Sequence, residues 1–177
     1  PRKSNMFLNY IKDYFLKRIL KNSLQNVKSN ASSLPIQTVG VLIDESYFHE
    51  TEALIEELIA SGISGDNVKI IVYRDKLKKN EVYSQPTFSI KHLNWKAEIT
   101  NQTVNDFINE KFDLLISYYD VEKAILLNIT HNSKALFKVG FSSVDKRLNH
   151  LMINTNAENH RVFVHELFRY LKILNKI

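Results

Sequence analysis

The stretch that most limits what this chain can fold into is residues 36–44, Ile-Gln-Thr-Val-Gly-Val-Leu-Ile-Asp, directly after Pro35. A run of Val, Leu and Ile that ends on an acid predicts a strand buried on both faces, the first of a parallel sheet. Residues 45–62 follow with helical spacing: Leu54, Ile55, Leu58 and Ile59 recur three to four residues apart, and Gly62 stops the helix. Residues 68–73, Val-Lys-Ile-Ile-Val-Tyr, predict a second strand, so the two form a β-α-β unit with a right-handed crossover. A polar loop is expected over residues 74–87 and a short strand over 88–90. Leu93-Asn94-Trp95, which carries the only Trp, is expected to be a partly buried turn.

The alternation then resumes. Helices are expected over residues 103–111 and 121–133, with strands over 112–120, 136–141 and 150–154. Residues 142–149 are a charged loop. A last helix starts near Ala157, with Val162, Phe163, Leu167, Tyr170, Leu171 and Leu174 inward. The expected class is α/β: an open, mostly parallel sheet of about five or six strands with helices on both faces. Such a three-layer arrangement is Rossmann-like or flavodoxin-like, here preceded by a basic N-terminal helix.

A chain of 177 residues, 44% apolar and 24% charged, is enough for one core. Its organisation is therefore a basic amphipathic helical arm, residues 1–34, and a single α/β domain, residues 35–177. The formal charge of +5 is unevenly spread. The arm holds seven Lys or Arg against Asp13 alone, a net of +6, while the other 17 basic and 18 acidic residues leave the domain at −1. Cysteine is absent, which excludes disulfides and thiolate chemistry. No stretch reaches the roughly 18 apolar residues of a transmembrane segment, and no secretory signal is evident. A cytoplasmic protein is expected, with association to the inner membrane face as an option.

Within the arm, Ser4 or Asn5 is a candidate cap for a helix over residues 6–27, ended by the polar cluster 29–33. Two adjacent apolar rows run at helical spacing: Leu8, Ile11, Phe15 and Ile19, and Leu16, Leu20, Leu24 and Val27. That sector is wider than a surface helix on a small domain requires. Three explanations compete. Both rows pack on the domain; or the helix lies in a membrane interface, with Phe7 and Phe15 inserted and Lys12, Lys17, Arg18, Lys21 and Lys28 reaching anionic headgroups; or the same cations track a phosphate backbone such as structured RNA.

In parallel sheets ligands collect beyond the carboxyl ends of the strands. The residues expected on that rim include Asp44, Glu45, Tyr118, Asp120, Ser142 and Asn154. Asp44 and Asp120 are of a type to hold a cation or act as a base, although the same residues commonly cap helices. No Gly-x-Gly-x-x-Gly follows the first strand. Asp44-Glu45-Ser46-Tyr47-Phe48 is bulky and acidic there instead, so no dinucleotide is expected. No Gly-Lys-Ser/Thr loop and no Gly-x-Ser-x-Gly turn occurs, and the six histidines are scattered. No catalytic residue, cofactor or metal is assigned. The Lys76-Leu77-Lys78-Lys79 loop is a second small basic spot.

The Met6-Phe7-Leu8-Asn9-Tyr10-Ile11 opening, the Val39-Gly40-Val41-Leu42-Ile43-Asp44 strand and the Phe112-Asp113-Leu114-Leu115-Ile116 strand together resemble an uncharacterised family of small flavobacterial proteins. The resemblance implies a bacterial α/β protein and carries no catalytic residues with it. The functional expectation is a non-catalytic docking protein whose basic helix engages an anionic partner, with structured RNA or the ribosome ahead of a membrane surface. A small enzyme or ligand binder using the rim is the remaining alternative.

Overall fold

The computed structural model describes residues 2–27 and 35–177, with side chains from Met6 onward. Helix α1 spans Arg2–Ser23, and strand β1, Val39–Asp44, opens the sheet. Helix α2 (Thr51–Ala60) and strands β2 (Val68–Tyr73) and β3 (Thr87–Phe88) follow. Then come α3 (Gln102–Asn109), β4 (Leu114–Tyr118), α4 (Ala124–Asn132), β5 (Phe137–Phe141), β6 (Leu151–Ile153) and α5 (His160–Ile173). Six strands form one sheet in the order β3-β2-β1-β4-β5-β6, and every pairing is parallel.

Central position explains why β1, β4 and β5 are buried along their whole lengths. Adjacent residues on β4 show the two covered faces. Ser117 hydrogen-bonds Thr130 of α4, while the ring of Tyr118 packs edge-on against Phe163 of α5. Helices α1 and α3 lie with α4, and α2 lies with α5, giving three layers. Gly40 allows close approach of the neighbouring layer, since a Cβ there would sit 2.7 Å from the ring of Phe112.

Differences from expectation fall mostly at element ends. Helix α1 begins at Arg2, so Ser4 and Asn5 lie inside it rather than at its cap, and it closes at Ser23 rather than near Val27. The expected polar stop at residues 29–33 lies outside the described residues. Helix α2 starts only at Thr51, because residues 45–50 are used in a turn held by rim side chains. On α5 the inward row is turned: Val164 and Phe168 are buried with Phe163, Leu167 and Leu171, whereas Val162 and Leu174 are exposed. Both rows have helical spacing, and only the partners across the interface choose between them. The turn over residues 93–95 is partly buried, as expected, through Leu93, while its Trp95 is 60% exposed.

Candidate functional site

The strand order turns back between β1 and β4, which is where an open α/β sheet leaves its crevice. That crevice is filled by Lys123, from the link between β4 and α4. Its Nζ lies 2.7 Å from Asp44 Oδ2 and 3.0 Å from Asp75 Oδ1, and it donates to Ser46 Oγ at 2.9 Å. The rings of Tyr47 and Tyr73 enclose it at 5.0 and 4.6 Å. A phosphate at this point would have to displace a buried ammonium from two carboxylates. Lys123 was not foreseen, since a Lys just before a helix carries no signal of the cluster it completes.

The other rim residues are tied to neighbouring loops. Glu45 accepts from Arg74 Nη2 and Nε at 2.6 and 2.9 Å and also from Thr51 Oγ1. Tyr118 donates to the Ala157 carbonyl at 2.6 Å; burial, and then Asp120, push its hydroxyl well above the ordinary phenol range. Asp120 accepts from the Ala157 amide at 2.9 Å, and Ser142 donates to Asn154 at 3.1 Å. The structure thus places Asp44 on Lys123, Glu45 on Arg74 and Thr51, Tyr118 and Asp120 together on Ala157, and Ser142 on Asn154. These are four separate knots rather than one set of side chains aimed at a single position. Among the described residues, no group of three His, Asp or Glu side chains is placed to hold a metal.

Helix α1 is the second candidate. Leu16, Leu20 and Leu24 are buried in the common core, against α4. Asp13 fixes the rotation: its carboxylate accepts from the Ala124 amide at 2.7 Å, capping α4 from another element, and burial pushes its pKa up. Lys17 donates to the Glu122 carbonyl at 3.2 Å. Lys21 bonds both oxygens of the Glu122 carboxylate at 2.8 and 3.0 Å and lies 3.8 Å from Asp145. Two of the cations expected to face a partner are therefore turned onto the protein itself.

The adjacent apolar row is largely exposed. Leu8 is 49%, Phe15 53% and Ile19 59% exposed, and Phe7, Tyr10 and Tyr14 flank them, also exposed. Arg18 stands outward among them. Lys12 lies 5.9 Å over the ring of Trp95, which extends the apolar strip onto the neighbouring turn. Lys28 lies outside the described residues. Of the two apolar rows, one is covered by the core; in the other Leu8, Phe15 and Ile19 are exposed and Ile11 is half-buried.

No helix among the described residues is long and apolar enough to cross a membrane. No curated protein matches the chain. A family model does match, over residues 12–174, from the middle of α1 to the end of α5, and the chain therefore belongs to the family of unknown function DUF6913.

Proposed function

We propose that this chain is a non-catalytic docking protein that seats on an anionic membrane surface, with α1 lying in the headgroup region. The observation that carries this is the bare row Leu8, Phe15 and Ile19 on a helix whose other side is anchored to the core. An apolar strip of this kind, rimmed by Tyr, Trp and basic residues, is characteristic of interfacial helices. Electrostatics favour the same orientation. Arg18 is exposed beside the apolar row, and each Lys or Arg near an anionic surface adds about 1 kcal/mol.

Structured RNA, which the charge alone favours, is less well supported by the geometry. Lys17 and Lys21 are engaged with Glu122, and phosphate tracking gives no use to exposed Leu8, Phe15 and Ile19. The use of the rim for catalysis has no comparable support, because its polar groups are spent on one another.

Flotation with vesicles of phosphatidylglycerol and phosphatidylcholine at low salt tests the proposal. The protein should float with these vesicles and much less with phosphatidylcholine alone. Phe15→Asp should weaken partitioning by about tenfold or more, given roughly 1.5–3 kcal/mol for burying a Phe side chain. Arg18→Glu should weaken it in a salt-dependent way. Failure to float at low salt sinks the membrane assignment. Tight binding of structured RNA that Phe15→Asp leaves untouched would restore the nucleic-acid alternative.

A further inference from the structure

A cavity of about 470 Å³ lies at the opposite end of the sheet from the rim. Residues 25–27, just past α1, form one wall, and the link from α4 to β5 and the turn before β6 form the others. The segment past α1 is pinned in place: Val27 N donates to the Arg147 carbonyl at 3.0 Å, and Arg147 Nη1 donates to the Leu24 carbonyl at 3.2 Å. The volume is within the range of small-molecule sites, roughly 300–1,000 Å³.

Its chemistry is one-sided. Lys134, Lys138, Arg147, His131 and His150 line it, and among the described residues no acid does. The sequence explains why. No Asp or Glu occurs between Asp13 and Asp44, or between Glu122 and Asp145, and these acid-free stretches supply most of the walls. Arg147 has its own counter-charge in Asp145, at 2.6 and 2.9 Å. Lys138 differs: it is 7% exposed, and among the described residues its Nζ donates only to the carbonyls of Thr130 and His131, at 2.7 and 3.2 Å.

A buried ammonium held only by neutral carbonyls is an expensive arrangement. Burial, with Lys134 as a smaller cause, accordingly brings its pKa down to about 8. His150 accepts the Lys138 amide at Nδ1, at 2.9 Å. The walls also include Val27, Ala135, Leu136 and Leu148, which suit an organic body beside the charged group.

We infer that this cavity binds a small organic phosphate, whose dianionic group meets Lys134 and Lys138 while its organic portion contacts the apolar wall. The site is independent of α1's bare face, and the phosphate it takes is a soluble one rather than a lipid headgroup.

Titration calorimetry at constant ionic strength, with inorganic phosphate, glycerol 3-phosphate and glucose 6-phosphate as probes, tests the assignment. At least one organic phosphate should bind saturably and more tightly than inorganic phosphate. Lys134→Glu, at an exposed position, should weaken it about tenfold or more, as loss of one charge-assisted contact implies. Lys138→Met should do the same if it folds. Lys172→Glu, on α5 across the sheet, should leave it unchanged. Absence of saturable binding by all three probes at millimolar concentration overturns the site, as does an equal loss in Lys172→Glu. Vesicle flotation abolished by Lys134→Glu while the soluble phosphates fail to bind would move the anion to a lipid headgroup and also overturn it.

Discussion

Lys138 and Asp145 are charged side chains with opposite fates. Arg147, bonded to both oxygens of Asp145, is the main reason its pKa falls to about 2. Its ionised form is favoured in the folded state, so it contributes about 2 kcal/mol at neutral pH, lost as pH falls from the unfolded value through 2. Asp145→Asn should therefore cost about 2 kcal/mol in urea unfolding at pH 7 and almost nothing near pH 2. Lys138 works the other way. Its folded pKa of about 8 is below the unfolded one, so between pH 8 and about 10 the unfolded chain holds the extra proton and stability rises with pH. Lys138→Met should abolish that rise, and an unchanged slope would show that another group is responsible. Gly40 provides a steric test. Alanine there would press on the Phe112 ring at 2.7 Å and should cost about 1–3 kcal/mol, partly recovered by Phe112→Leu.

At the scale of elements, α1 and α4 form the pair on which the functional proposal rests. Leu16→Ala or Leu20→Ala should cost about 2–5 kcal/mol, because each opens a cavity between the two helices. Asp13→Ala should cost about 1 kcal/mol by removing the acceptor for the first amide of α4. Phe15→Asp, on the bare row, should shift stability by no more than about 0.5 kcal/mol while it damages partitioning. Urea midpoints for the four variants would check this asymmetry, and a Phe15→Asp protein as unstable as Leu16→Ala would show that the outer row is structural. Spacing made both apolar rows of α1 visible in the sequence, but they are alike in composition. Which one turns inward was set by Asp13 and Lys21 meeting Ala124 and Glu122, about a hundred residues away. The turned face of α5 has the same origin: Val162 and Leu174 fit a helical row as well as Val164 and Phe168 do, and only the packed layer distinguishes them.

For the whole molecule, burial of Tyr73, Tyr118 and Tyr119 raises all three hydroxyls above the ordinary phenol range. The unfolded chain ionises these groups first, so stability should fall steeply above about pH 10, ending the rise due to Lys138. The sequence alone determined the α/β class, the helix–strand alternation and the cationic first helix, because periodicity and charge are local properties of a chain. Missing glycines after β1 were equally legible. The strand order, the closure of the crevice by Lys123, the inward use of Lys17 and Lys21, the bare outer row and the acid-free cavity were decided only in three dimensions. Each depends on side chains from separate elements meeting, and a charge is spent or left outward according to partners that sequence distance hides.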